Sequence, residues 1–363
     1  MWIGGRELLL ILLTACVTCL ATVGVPPRLG ILGARAAETL GARATAEQLL
    51  RRAAETSSIH DADTAEALSR LAVLHRMHGR HAEAFDCLER GRVLAERSLG
   101  PAHPAVAGLL DHLALLSLER GELPRAVGYQ QRALDIRTSA FGADDPRVGL
   151  TLEHLSELRR REGRLDEALG LARRALAIQE QAHGSEHPNA VRALGHVGAV
   201  LHAQGRLRSA EHYLAHALDL LEGSGPTHDA PDPWARDAKG RSHERARLLE
   251  EMGRLHASRG RYGSARKLLT RSFELFSRGV NPSTQQARVL SELAATYRQE
   301  GRNESALSHL RVALRLADEV PHDPALRATL HAAAADVHDA SGRPDLAERH
   351  RALGRRVRAG VSG

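Results

Sequence analysis

Hydrophobic residues recur along this chain at the spacing of one face of a helix. Before Gly301, the residues Leu290, Leu293, Ala294 and Tyr297 follow one another at steps of three, four and seven from the first, which places them on one side of an α-helix. The same spacing precedes other glycines, at Leu68, Leu71, Ala72 and His75, at Leu110, Leu113, Ala114 and Ser117, and at Leu152, Leu155, Ser156 and Arg159. The pattern predicts amphipathic helices that end at glycines, and no strand-like alternation accompanies it.

These glycines belong to a motif, Gly-x-x-x-x-Ala, of which seven copies lie at nearly fixed intervals along the chain. Its members are Gly79–Ala84, Gly121–Ala126, Gly163–Ala168, Gly205–Ala210, Gly260–Ala265, Gly301–Ala306 and Gly342–Ala347. The first four glycines are 42 residues apart and the last three 41, while the step between the two groups is longer by 13. A fixed period of this length is typical of stacked helical repeats. Each unit is predicted to be a helix–turn–helix hairpin, with a left-handed glycine ending the first helix and the alanine lying where the two helices approach closely.

The residues of one unit, Leu-x-x-Leu-Ala-x-x-Tyr, then Gly and Ala, then Leu and Ala, resemble the tetratricopeptide repeat. The 42-residue period and junctions such as 99–104, Leu-Gly-Pro-Ala-His-Pro, resemble the kinesin-light-chain subclass. The Trp that usually starts the first helix of such a repeat is absent here. The resemblance covers about residues 62–354 and implies an all-α fold, a right-handed α-solenoid of about seven hairpins. It also implies a non-enzymatic scaffold for protein–protein interactions.

The repeats and the segments around them suggest six stretches of chain. These are 1–25, a signal peptide or membrane anchor; 26–61, an amino-terminal segment with a possible half repeat; 62–222, repeats 1–4; 223–242, a loop insertion; 243–356, repeats 5–7; and 357–363, a tail. The insertion is rich in Gly, Pro and Asp, and it either lengthens one turn or splits the array in two. Trp234 within it is either an exposed anchor for a partner or a side chain that packs back on the array.

The amino terminus carries an uncharged run of 18 residues, 8–25, that ends at two prolines. Three interpretations stay open: a cleaved secretory signal, with cleavage after Ala21 or Ala36; an uncleaved membrane anchor; and a lipoprotein signal at Cys16. We therefore expect the protein to be exported (periplasmic or secreted) or membrane-anchored, with membrane association through residues 8–25 as one of the alternatives.

The net charge of the chain and its arginine content indicate which chemistry a partner should have. The formal net charge is +6, and Lys239 and Lys267 are the only lysines, so the basic excess is arginine. Guanidinium groups pair with carboxylates and phosphates, which favours a protein or peptide partner that is acidic. A binder of nucleic acid or of an anionic surface is the alternative, although aromatics make up only 3% of the chain and leave little for base stacking. A non-catalytic subunit of an enzyme or signalling complex is a further alternative.

Histidine is abundant, with 21 residues, but no catalytic or metal-binding motif accompanies it. His212 and His216 have the i, i+4 spacing that can hold zinc, yet no acidic or cysteine partner recurs near them. The sequence also lacks a phosphate-binding loop, a nucleophile elbow and a His-Glu-x-x-His motif. We therefore expect no enzyme activity, no cofactor and no metal site.

The candidate binding residues come from one face of the first helix of each repeat. With the motif glycine numbered 15, positions 4, 7, 8 and 11 form the core, and positions 2, 6, 9 and 13 point the opposite way. The resemblance implies that this second face lines the concave groove. Its candidate partner-binding residues are His112, His154 and His196 at position 6, Arg192, Arg247 and Arg288 at position 2, and Arg254 at position 9. They favour an extended acidic segment as partner, whose affinity should rise as pH falls through about 6.5 if the histidines contact it.

Residues 1 to about 25 should be absent from the mature soluble protein or embedded in a membrane, because the uncharged run 8–25 suits either a signal or an anchor. Cell fractionation followed by amino-terminal sequencing or intact-mass measurement checks this. Full-length protein with its amino terminus intact in a soluble cytoplasmic fraction would contradict both interpretations.

Overall fold

The computed structural model of the 363-residue chain describes residues 27–39, 42–55, 61–223, 238–278, 284–319 and 323–361. Every regular element among them is an α-helix. The chain divides into two compact units, unit 1 within Met1–Leu118 and Pro124–Ala140, and unit 2 within Glu119–Leu123 and Phe141–Gly363. None of the helices in the described ranges is long and apolar enough to cross a membrane. The uncharged run 8–25 and Trp234 lie outside those ranges.

Unit 1 is a succession of helices that pair with their neighbours along the chain. In its described part these are α1 (Pro27–Thr39), α2 (Arg43–Glu55), α3 (Asp61–Met77), α4 (His81–Leu99), α5 (Pro104–Glu119) and α6 (Leu123–Phe141). The helix periodicity of the sequence indicated α2 but not α1. Gly30 and Gly33 interrupt the pattern of α1, and they do so because the helix packs closely on α2: a Cβ at Gly30 would lie 2.9 Å from Cβ of Ala53.

Unit 2 contains the remaining repeats. Its helices in the described ranges are α7 (Pro146–Arg161), α8 (Leu165–His183), α9 (Pro188–Ala203), α10 (Leu207–Gly223), α11 (Ala238–Ser258), α12 (Tyr262–Phe276), α13 (Thr284–Gln299), α14 (Asn303–Glu319), α15 (Pro324–Ala340) and α16 (Pro344–Val361). Helix α11 begins at Ala238, so the last residues of the expected loop insertion are helical. Leu214 and Leu221 of α10 share one hydrophobic cluster with Leu248 of α11, so the stack of helices continues across the insertion.

The turn inside each hairpin has the geometry that the motif predicts. All seven motif glycines have positive φ, between 69° and 79°, a region that L side chains rarely adopt. At Gly163 the turn is closed by the N–H of Arg164, which donates to the carbonyl of Arg159 at 2.9 Å, as in a Schellman cap. All seven motif alanines are fully buried. The expected helix–turn–helix hairpins and the all-α solenoid fold are confirmed.

Most predicted core positions of the first helices are buried, although Arg159, His256, Tyr297 and His331 are only partly so. Among the polar residues at these positions, Ser156 has a hydrogen-bond partner inside the hairpin, whereas the buried hydroxyl of Ser117 has none among the residues that the structure describes. Ser156 stands at position 8, where most repeats have alanine or glycine, and it is completely buried. Its hydroxyl donates to the carbonyl of Ala168 on the second helix of the same repeat at 2.8 Å. Ala168 thus has two roles: its small side chain lets the first helix pack closely, and its carbonyl accepts this hydrogen bond.

Replacing a motif alanine of unit 2 by leucine should destabilise the protein. Ala168→Leu and Ala210→Leu each insert a large side chain where the helices touch, and each should lower the free energy of unfolding by roughly 1–3 kcal/mol. Ala203→Leu, at an exposed position, is the matched control and should be close to neutral. Chemical denaturation of the three variants checks this, and equal losses at buried and exposed sites would contradict the packing described here.

Candidate partner-binding face

The seven candidate residues lie on first helices of successive repeats. His112 is on α5 of unit 1, and the other six are in unit 2: His154 on α7, Arg192 and His196 on α9, Arg247 and Arg254 on α11, and Arg288 on α13. Within unit 2, helices α7, α9, α11 and α13 are neighbours in that order. We call the surface formed by Arg192, Arg247, Arg254 and Arg288 the arginine face.

Each arginine of the arginine face is bound to a glutamate of the protein itself. Nε of Arg192 donates to Oε2 of Glu153 at 2.7 Å. Nη2 of Arg247 donates to Oε1 of Glu244 at 2.7 Å. The sequence reasoning found the arginines and missed these acidic partners.

Arg254 and Arg288, further along the arginine face, are also paired with glutamates. Nη1 of Arg254 lies 3.0 Å from Oε1 of Glu251, and its Nε lies 3.4 Å from Oε1 of Glu292. Nη2 of Arg288 lies 3.5 Å from Oε1 of Glu250. The Glu292 and Glu250 pairs join α11 to α13, as the Glu153 pair joins α7 to α9, so these contacts tie first helices together across repeats.

Two of these pairs follow one rule of register. Glu153 and Glu250 are position 5 of repeats 3 and 5, and each holds the position 2 arginine of the next repeat. Position 5 lies between the core positions and the exposed positions of the helix, which is why a search restricted to either set overlooks it. The sequence signal was available: an acidic residue at position 5 followed by an arginine 39 residues later, as Glu153 and Arg192 are.

In repeat 4, position 5 is Gly195, and an arginine still lies over it. A Cβ at Gly195 would be 3.0 Å from Nη2 of Arg247 and 2.7 Å from Cδ2 of Leu248. The missing side chain lets the guanidinium reach the backbone, and Nη2 of Arg247 donates to the carbonyl of Arg192 at 3.3 Å. This contact joins α9 to α11 across the insertion that precedes α11.

Burial sets the electrostatics of the buried glutamates. Desolvation raises the pKa of Glu153, and the charges of Arg192 and Arg247 only partly oppose it. Desolvation likewise raises the pKa of Glu250, against the attraction of Arg288. These two carboxylates therefore bind a proton more readily than an exposed glutamate does.

The glutamates around Arg247 hold it in its charged form. Burial alone would lower the pKa of Arg247, but the carboxylate of Glu244, together with Glu251 and Glu153, raises it well above its ordinary value.

The histidines behave differently from the expectation that they titrate near pH 6.5. Burial lowers the pKa of His112, and it lowers the pKa of His196 well below the ordinary value. His196 lies 3.7 Å from Glu153, so it packs against the buried pair rather than standing free. His154 is exposed. A pH response of the face must therefore come from groups other than His112 and His196.

His112 lines a separate cavity within unit 1. The cavity has a volume of ≈ 550 Å³, and its wall includes the apolar Val73 and Met77 and the charged Glu66 and Arg70, all from α3. These four residues are positions 9, 13, 2 and 6 of repeat 1, the same face of the helix as in unit 2. The first-helix face is thus mixed in character in unit 1 and rich in arginine in unit 2.

No metal site is found on these surfaces or elsewhere in the part of the chain that the structure describes. Its His, Cys, Asp and Glu residues form no group of three or more that could hold a metal ion.

Comparison with known proteins agrees with this architecture. The family model of the tetratricopeptide repeat matches residues 63–139, 106–181, 147–223 and 285–351. The chain belongs to the tetratricopeptide repeat family. Repeats of this family bind proteins or peptides, so those of this chain indicate a protein–protein interaction scaffold. Proteins of the family are generally non-catalytic.

Solved structures that are similar to this chain include apo RapI and kinesin-light-chain repeats. Apo RapI has 13% sequence identity and a TM-score of 0.64, over 81% of this chain and 98% of its own. Kinesin-light-chain TPR-like repeats from Podosopora anserina have 19% identity and a TM-score of 0.47, over 61% of this chain and 98% of their own. None of the curated proteins matches the sequence.

Adding a side chain at Gly195 should disturb the tetratricopeptide stack in unit 2. Alanine normally stabilises a helix interior by roughly 0.5–1 kcal/mol over glycine, and Gly170→Ala on α8, with no atom within 4 Å of the new Cβ, should show that gain. The free energy of unfolding of Gly195→Ala should lie roughly 1–3 kcal/mol below that of Gly170→Ala, because Leu248 and Arg247 must move to admit the new Cβ. Thermal or chemical unfolding of both variants checks this, and equal gains would mean that Arg247 does not pack on Gly195.

Proposed function

We propose that this protein binds an extended, acidic segment of a partner protein along the first helices of unit 2. The segment lies across α9, α11 and α13, and the guanidinium groups of Arg192, Arg247, Arg254 and Arg288 receive its carboxylates. His154 and His196 border this path, and His112 belongs to the equivalent face of unit 1. The path corresponds to the groove by which the repeat family is expected to take up peptides.

One observation supports this proposal most directly: the arginines lie outermost. Their side chains are 26–44% exposed, whereas the glutamates of their closest pairs are only 1–12% exposed. A guanidinium carries five N–H donors in one plane. The internal partners of these arginines, which include two glutamates for Arg254 and a backbone carbonyl for Arg247, use only part of this set. The remaining donors are available to acceptors that approach from the solvent, and carboxylates are the acceptors that bind guanidinium most strongly.

The dimensions suit a short extended peptide. Neighbouring helices lie roughly 10 Å apart, so the two steps from α9 to α13 span about 20 Å. An extended chain advances about 3.3 Å per residue, so six or seven residues cover the distance. An octa-aspartate peptide with blocked ends is therefore a sufficient probe.

Arg288→Gln is the variant of choice for a test. Arg288 is the most exposed arginine of the face and has the longest ion pair, so its loss should cost little stability. Reversing the charge of Arg192 would instead place a carboxylate against the buried Glu153 and unfold the site. We expect Arg288→Gln to raise the Kd of octa-aspartate by about three- to tenfold, up to about 1.4 kcal/mol, measured by calorimetry or fluorescence anisotropy.

Arg271→Gln is the matched control. Arg271 lies on the second helix α12, is 48% exposed and is paired with Glu274 at 3.0 Å, so the variant removes the same charge away from the arginine face. Its Kd should equal that of the unmodified protein. Equal weakening by both variants would mean that the peptide responds to overall charge and would count against binding at this face.

A further inference from the structure

Two of the ion pairs on the arginine face share an unusual geometry. In each pair a carboxylate is buried on one first helix, and its guanidinium partner is exposed on the next. The side chains of Glu153 and Glu250 are 1% and 6% exposed, while those of Arg192 and Arg288 are 30% and 44% exposed. Each arginine therefore contacts both its buried partner and the solvent, whereas each glutamate is shielded from the solvent.

Charged groups surround Glu153 from two helices. Arg192 and His196 face it from α9, and Glu244 and Arg247 act on it from α11. Of these, Arg192 supplies the closest hydrogen bond, at 2.7 Å. Because His196 is held neutral by burial, the negative charge of Glu153 depends mainly on Arg192.

Glu250 has more neighbouring carboxylates than Glu153 has. Arg288 and Glu292 face it from α13, and Glu251 and Arg254 are on its own helix. Two carboxylates oppose its ionisation and two guanidiniums favour it. Its single ion pair, with Arg288, is long at 3.5 Å, so this carboxylate is weakly compensated.

An acidic segment at Arg192 or Arg288 would change this balance in one of two ways. If the incoming carboxylate draws the guanidinium away, the glutamate beneath is left as an uncompensated buried charge, which is costly. If the guanidinium serves both carboxylates, the glutamate gains a like charge nearby, which also disfavours its ionised form. A proton on the glutamate relieves the cost in both cases, and a protonated glutamate still accepts a hydrogen bond from the arginine.

We infer that an acidic segment binds at Arg192 and Arg288 together with protons, which pass from the solvent to the carboxylates of Glu153 and Glu250. Each proton forms one O–H bond on a glutamate and is supplied by the buffer, while the carboxylates of the segment stay ionised. The face thus gains one positive charge for each proton at the moment when an anion arrives. This inference rests on the proposed function and specifies how binding at that site is regulated.

The sign of the pH dependence follows. The raised pKa of both glutamates brings protonation closer to neutral pH already in the free protein. By linkage, a binding step that takes up one proton strengthens by up to about tenfold for each unit by which pH falls. Affinity for an acidic segment should therefore rise on acidification, and it should do so without titration of His112 or His196.

Calorimetry on the full chain measures the protons directly. Octa-aspartate is titrated into the protein at one pH near 6.5 in MES and in imidazole, which both buffer there and have different ionisation enthalpies, and the difference in heat gives the number of protons taken up. Aspartate side chains, with an ordinary pKa near 3.9, remain ionised there and contribute none. We expect an uptake of between about half a proton and two, and a Kd that falls on acidification.

Two variants assign the protons. Glu153→Gln and Glu250→Gln keep the shape of the side chain and cannot be charged, so each should reduce the uptake, flatten the pH dependence and tighten binding at neutral pH. Either variant suffices if the other fails to fold by circular dichroism. Glu274→Gln on α12, at an exposed carboxylate, is the control and should leave the uptake unchanged.

The outcomes separate this inference from the proposed function. Binding with no proton uptake and a Kd independent of pH overturns the inference and leaves the proposed function standing. Undiminished uptake in the folded glutamine variants also overturns it, because the protons would then go to other groups such as His154. Absence of binding at every pH between about 5.5 and 8 overturns both.

Discussion

The close approach of the two helices in each hairpin is the constraint on which the rest of the structure depends. It needs a residue in the left-handed region to end the first helix and a side chain no larger than methyl at the first contact of the second. Gly163 and Ala168 meet these needs in repeat 3, with a φ of 79° and complete burial. Since each hairpin buries only part of its apolar surface alone, its neighbours must cover the remainder. The spacing of the first helices, and hence of every residue on their exposed face, follows from this repeated contact.

The charges on that face are organised by the same stacking. Position 5 of one repeat lies against position 2 of the next, so a glutamate at the first and an arginine at the second become an ion pair between repeats, as Glu153 and Arg192 do at 2.7 Å. A buried ion pair of this kind adds little net stability, because desolvation offsets the attraction. Its effect is to fix which surface the arginine presents. In repeat 4, Gly195 replaces the glutamate, and Arg247 reaches the backbone of α9 instead.

The sequence predicts the hairpins well because their determinants are local and repeated. Gly205 and Ala210 can be recognised from spacing alone, and both behave as the motif requires. Helix α1 is not recognisable in this way, because Gly30 and Gly33 reflect its packing on α2 and break the local pattern. The sequence predicts only part of the candidate site. Arg192 could be placed on the exposed face from its position in the repeat, but its pairing with Glu153 is a contact between repeats that a helix-by-helix analysis does not consider.

This pairing changes how the basic composition should be interpreted. A net charge of +6 with an excess of arginine suggests affinity for any polyanion. On the arginine face, however, each arginine stands over a carboxylate of the protein, so long-range attraction is largely cancelled while hydrogen-bond donors remain at the surface. Such a face discriminates by geometry and short-range contact rather than by total charge. Under the proposed function, a partner whose acceptors match the spacing of Arg192, Arg247 and Arg288 should therefore bind better than a uniformly charged surface such as a nucleic-acid backbone.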